Sequence, residues 1–182
     1  MTGTYIAILR GINVAGQKAI KMVALKSMFE GIHCNNVKTY IQSGNVIFSA
    51  ATRDIKELEY SISSAIEDAF GFPVPVIVLT INTMEMITAN NPFADDDSKD
   101  PSFVHITFLA NKPEDHLKEK LMDKIQDNEA CVITDGVVYL YCPHGYGKTK
   151  LNNTYIENNL KVSATTRNWK TCMELLKIAL ST

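Results

Sequence analysis

The sequence predicts an α+β protein of two ferredoxin-like βαββαβ units with an added C-terminal helix. Three observations carry this expectation. Short β-rich apolar runs alternate with helix-periodic stretches in the order β-α-β-β-α-β, and that order occurs twice. Each unit carries a hairpin signal, Gln42-Ser43-Gly44-Asn45 in the first and Asp135-Gly136 in the second. The 182 residues are 46% apolar and 21% charged, an ordinary balance for one large or two small globular domains. A chain of this size buries roughly 70% of its unfolded surface, so no disulfide or metal staple is required.

In the first unit, Tyr5 to Leu9 is a short apolar strand, and a polar loop with two glycines runs from Arg10 to Lys21. Met22, Leu25, Met28, Phe29 and Ile32 recur at helical spacing, with Gly31 near the helix end. Val37 to Ile41 and Val46 to Phe48 are strands on either side of the hairpin turn. Asp54-x-x-Glu57 begins the second helix as a capping box. Its inner face is Ile55, Leu58, Ile62, Ala65, Ile66 and Ala69, and Gly71 ends it. Val74 to Leu79 is the fourth strand. Asn82-x-x-Glu85 starts a connecting helix that stops near Asn90-Asn91-Pro92, and Phe93 to Pro101, with Asp95-Asp96-Asp97, reads as a solvated acidic loop.

In the second unit, Phe103 to Leu109 is a strand, and Pro113 opens a helix with Leu117, Leu121, Met122 and Ile125 inward. Ala130 to Ile133 and Val137 to Tyr141 form the hairpin. A helix is expected over 148–160, with Leu151, Tyr155, Ile156 and Leu160 inward, and a short strand over 162–165. The last helix runs from about Asn168, with Trp169, Cys172, Met173, Leu176 and Leu180 inward. The expected division is therefore 1–81, a connecting helix and acidic loop over 82–100, and 101–182. The two halves share almost no residue identity, so the repeat is one of pattern.

The formal net charge of −2 excludes a protein that binds nucleic acid through global positive charge. Cys34, Cys131, Cys142 and Cys172 form no C-x-x-C pair, and the four histidines show no zinc spacing, so no metal site or cofactor is expected. The reading is of reduced thiols in a cytoplasmic protein. No apolar stretch approaches membrane-spanning length, and MTGTYIAILRG reads into a strand rather than a signal peptide.

Ferredoxin-like topology brings separated loops together. At one end of the first sheet it places Arg10, Asn13 and Lys18 beside Ser43 and Asn45. In the second unit it places His144-Gly145-Tyr146-Gly147-Lys148 beside Thr165-Thr166-Arg167-Asn168-Trp169. Helix N-termini and cations at such loops favour anions. "CPHGYGKT" (142–149) approaches a phosphate-binding loop, but Cys142 stands where its first glycine belongs. Gly11 and Gly16 have the correct step, but Gln17 stands where lysine belongs. Neither is a P-loop. Weaker readings are a Cys142–His144 thiolate, a metal at Asp95-Asp96-Asp97, and base stacking on Tyr139 or Tyr141.

These same residues resemble a bacterial family, domain of unknown function 1697. The resemblance is carried by Leu9-Arg10-Gly11-Ile12-Asn13-Val14, Tyr40-Ile41-Gln42-Ser43-Gly44-Asn45-Val46 and Asn91-Pro92-Phe93. It continues through Tyr139-Leu140-Tyr141, Gly145-Tyr146-Gly147-Lys148 and Ala164-Thr165-Thr166-Arg167-Asn168-Trp169. It implies a cytoplasmic protein of duplicated ferredoxin-like arrangement and no assigned activity. One departure is Ala15, where the family commonly has Gly, which leaves Gly16 to supply a positive φ.

The expected function is binding of a phosphate-bearing or other anionic small ligand. Arg10, Lys18, Lys148 and Arg167 supply charge, and Asn13, Ser43, Asn45, Tyr146, Thr166 and Asn168 orient the ligand. The readings from other classes are a nucleic-acid-binding module and a partner-binding protein without a small-molecule site. No acid–base pair or nucleophile stands out, so the sequence assigns no reaction.

Overall fold

The computed structural model describes residues 2–52 and 54–182. The chain divides into two compact units, one comprising residues up to Met86 together with Glu174–Thr182, the other Ile87–Met173.

The first unit holds β1 (Thr2–Leu9), α1 (Met22–Gly31), β2 (Asn35–Tyr40), β3 (Asn45–Ala51), α2 (Ile55–Phe70) and β4 (Val76–Thr80). Its antiparallel sheet has the order β2-β3-β1-β4, which is the ferredoxin-like arrangement. Alternate residues of the strands, Tyr5, Ala7, Leu9, Val46, Phe48 and Val78, join Leu25 and Phe29 of α1 and Leu58, Ile62 and Ile66 of α2 in one core. Phe48 is its hub, 5.7 Å from Tyr5 and 5.3 Å edge-on to Phe29. Each such fully buried side chain contributes about 1.5–3 kcal/mol.

Helix ends follow the sequence closely here. Asp54 accepts hydrogen bonds from the Lys56 and Glu57 amides, and Gly71 closes α2 at φ 81°. α3 (Ile81–Ala89) follows β4 directly. It starts earlier than Asn82 because Thr80 Oγ1 accepts the Thr83 amide 3.1 Å away and so caps the first turn.

The second unit holds β5 (Val104–Leu109), α4 (Asp115–Met122), β6 (Ala130–Ile133), β7 (Val137–Tyr141), α5 (Asn153–Leu160) and β8 (Ala164–Asn168). Its sheet order, β6-β7-β5-β8, repeats that of the first. Leu109, Val138, Leu140 and Ala164 meet Leu121, Ile156 and Leu160 in its core.

Several expectations are corrected here. Met122 is 49% exposed, because the turn of α4 that faces the sheet carries Leu121. Residues 148–152 are not α-helical. Tyr146–Lys148 is a single 3-10 turn, Thr149 Oγ1 accepts the Leu151 amide, and Asn152 Oδ1 accepts the Tyr155 amide. These side chains compete with helix for the backbone, so α5 begins only at Asn153. The fourth strand lies at Ala164–Asn168 rather than 162–165. Along α6 (Trp169–Leu180) the buried stripe is Cys172, Leu175, Leu176 and Ala179, while Met173 and Leu180 are exposed. Asp95 and Asp97 of the acidic loop are exposed, as expected of a solvated run, but the loop is also anchored. Phe93 is buried against Tyr141, Lys99 lies over both rings, and Asp96 bonds Lys99 and Ser98.

Candidate functional site

The loop after β1 and the β2–β3 turn meet at one end of the first sheet, as topology requires. The Leu9 amide donates to Gly44 O at 2.8 Å and the Arg10 amide to Pro75 O at 3.0 Å. Asn13 joins the two loops. Its Nδ2 donates to Ile20 O and to Gln42 O, at 3.0 and 2.8 Å, and its Oδ1 accepts the Ile20 amide. Asn45 is fully buried and donates to Tyr40 O and Ser43 Oγ. Lys18 Nζ donates to Pro73 O at 2.7 Å. Asn13, Ser43 and Asn45 thus hold backbone and one another.

Within that loop, Val14 and Gln17 pair as a narrow turn around Ala15 (φ 49°) and Gly16 (φ 76°). Positive φ at both central positions is what such a turn needs, so Ala15 adopts it despite its Cβ. The β2–β3 turn spans 41–44, with Ile41 at φ 50°, and Asn45 already belongs to β3.

In the second unit the structure joins Tyr146 to Thr166, 3.0 Å apart through Tyr146 Oη. Thr166 Oγ1 donates to Asn153 Oδ1 at 2.6 Å. Its single proton is then used, so Tyr146 and Thr107, 2.7 Å away, donate to it. His105 stacks on Tyr146 with centroids 5.0 Å apart, its Nδ1 3.1 Å from Phe103 O. Burial pushes the His105 imidazole below its ordinary pKa, partly opposed by that carbonyl.

Arg167 lies near enough to Tyr146 for the two to interact electrostatically. Neighbouring residues of a strand point to opposite faces, so Arg167 leaves β8 on the side away from Thr166. It is 9% exposed, and its Nη1 donates to Thr165 Oγ1 and Thr166 O. Burial lowers its pKa to about 10. Asn168 is exposed, and its Oδ1 accepts the Thr171 amide at the start of α6.

Beside the 142–149 loop lies an open hollow of about 470 Å³, lined by Asp123, Lys124, Ile125, Gln126, Asp127, His144 and Lys150. Two contacts tie its walls together. Gln126 Nε2 donates to Lys148 O at 3.2 Å, and His144 Nε2 lies 3.3 Å from Asp127 O. Lys124, Lys148 and Lys150 are exposed and take part in no ion pair among the described residues. Sequence reasoning passed over Lys124, Gln126 and Lys150 because they flank a helix end and a loop that are separate in the chain. His105, Thr107 and Asn153 were missed too, although polar residues alternating at 105 and 107 on a core strand are a usable signal.

Two weaker readings fail on burial. Cys142 is 1% exposed, and desolvation raises its thiol to about 11, so His144 does not make it a thiolate. Tyr139 is 3% exposed with its hydroxyl on Ile87 O, and Tyr141 is half-buried beside Phe93 with Lys99 over its ring, so neither offers an open stacking face.

Fold and loops together define an α+β protein of two ferredoxin-like units whose polar loops gather at the sheet ends. The chain belongs to the DUF1697 family, described as "Protein of unknown function", whose model matches residues 1–139. It is similar to a solved structure, the conserved bacterial protein SP0830 from Streptococcus pneumoniae. Identity is 19% and the TM-score 0.75, over 98% of this chain and 99% of that one, which shows the shared fold. An unknown protein from Galdieria sulphuraria aligns over 100% of this chain and 91% of that one at 13% identity. Its TM-score is 0.29. No curated protein matches. Among the described residues no helix is long and apolar enough to cross a membrane.

Proposed function

We propose that this protein binds a small phosphate-bearing metabolite in the hollow between residues 123–127 and the 144–150 segment. The observation that carries the reading is the pair Lys124 and Lys150. Both line the hollow and neither has a carboxylate partner among the described residues. Cations free of internal partners attract an anionic group, and His144 and Gln126 add directional hydrogen-bonding groups. Asp123 and Asp127 share the lining, so a bare anion is matched less well than one attached to hydroxyl donors. That chemistry is a sugar phosphate or a nucleotide. The volume falls within the range of small-molecule sites, roughly 300–1,000 Å³.

The reading draws the site away from the first unit, where Asn13 and Asn45 are committed to backbone. It keeps Lys148 at the margin, on the loop whose carbonyl Gln126 holds. Thermal shift against sugar phosphates, nucleotides and sulfate tests it. A ligand at 100 times its dissociation constant adds about 2.7 kcal/mol of stability. The expected result is a rise in Tm with a sugar phosphate or nucleotide that Lys124→Ala and Lys150→Ala each reduce. No rise with any of these ligands, or a rise that both variants leave unchanged, overturns it.

A further inference from the structure

Among the described residues, eight non-glycine positions have positive φ. Four of them, Asn13, Ala15, Lys18 and Ile41, stand in the two loops at one end of the first sheet. Asn13 and Lys18 use the conformation to make the hydrogen bonds given above. Ile41 differs. Its branched Cβ makes a φ of 50° a true outlier, and its side chain is 51% exposed, so burial does not compensate. Asn or Gly would hold the same turn without that strain.

The next residue of this turn, Gln42, accepts the Asn13 bond, and the residue after Asn13 is Val14, 61% exposed. Two β-branched apolar side chains therefore project from interlocked loops. The loops at this end, residues 10–21, 41–45 and 71–75, contain Arg10, Lys18 and Lys21 and no carboxylate. Lys18 and Lys21 make no ion pair among the described residues. Tyr40 and Phe72 are half-buried, so this end lacks the exposed aromatic platform on which single-stranded nucleic acid stacks.

We propose that the end of the first sheet presenting Val14 and Ile41 is a docking surface for an acidic polypeptide segment bearing apolar side chains. The partner's apolar groups cover Val14 and Ile41, and its carboxylates meet Lys18 and Lys21. Strain at Ile41 keeps an anchor exposed and preorganised, which lowers the ordering cost of binding. The surface lies wholly in the first unit and does not depend on the hollow of the second.

Selection of random displayed peptides on the wild-type protein tests this. The expected outcome is enrichment of sequences combining Asp or Glu with Leu, Ile or Phe. Synthetic versions of them should bind Ile41→Asn and Val14→Ser about tenfold or more weakly. Ile41→Asn should at the same time raise Tm by about 2–4 °C, because it relieves strain. Four results overturn the proposal. The first is no enrichment, or enrichment of basic peptides. The second is equal binding to Ile41→Asn. The third is a lowered Tm in Ile41→Asn, which makes Ile41 structural. The fourth is binding of oligo(U), or self-association in sedimentation, that Ile41→Asn abolishes.

Discussion

Gly44 shows how much one residue decides at the first loop cluster. Its φ is 78°, and an added Cβ would lie 2.7 Å from Leu9 Cβ and 2.8 Å from Ile12 Cδ1. Both terms act against alanine, so Gly44→Ala should destabilise by about 2–4 kcal/mol, read from urea denaturation. Unchanged stability would mean the turn can relax, contrary to the packing. His105 gives a pH prediction. Burial holds its folded pKa below the ordinary 6.5, so the unfolded chain binds the proton more readily. Stability therefore falls as pH drops from about 6.5 through the lower folded value. Comparing Tm against pH for wild type and His105→Phe isolates this component. Curves of identical shape would assign the acid sensitivity elsewhere.

At the scale of elements, the two units share a device that protects their edge strands. β4 and β8 are each the last strand of a sheet. Glu59 of α2 accepts the Val78 amide at 3.0 Å, and Glu157 of α5 accepts the Ala164 amide at 2.9 Å. In both units the second helix thus caps a donor of the fourth strand with a carboxylate. Exposed strand edges are templates for unwanted pairing, and a side-chain cap blunts them. Glu59→Ala should cost about 1–3 kcal/mol, because a half-buried amide loses its acceptor. Glu59→Gln, which keeps an oxygen there, should recover most of that in the same urea titration. Equal losses in the two variants would point to the Lys56 ion pair instead. These glutamates were not legible beforehand. On a helix pattern they are simply polar positions, and only the strand's arrival gives them a donor.

The whole molecule repeats its backbone as well as its element order. Leu9 and Arg10 donate to Gly44 O and Pro75 O, and Leu109 and Ala110 donate to Gly136 O and Ser163 O. The end of each first strand is thus pinned to the hairpin turn and to the approach of the fourth strand. All four thiols are buried. Desolvation raises Cys131 and Cys172 to about 12 and Cys142 to about 11. Because the thiolate is the reactive form, a thiol reagent should label none of the four in the native protein and all four after unfolding. Rapid labelling of any one under native conditions would contradict the packing around it. Sequence alone determined the order of elements, both hairpins, the α2 caps and the meeting of loops at shared sheet ends. Those follow from periodicity, turn chemistry and topology, which are local or combinatorial. The tertiary structure decided what the polar groups at those ends do. Asn13 and Asn45 hold backbone, Arg167 leaves β8 on the face opposite Thr166, and Lys124 and Lys150 line one hollow. A polar side chain is free for a ligand only if no backbone group reaches it first. That depends on distances between segments far apart in the chain.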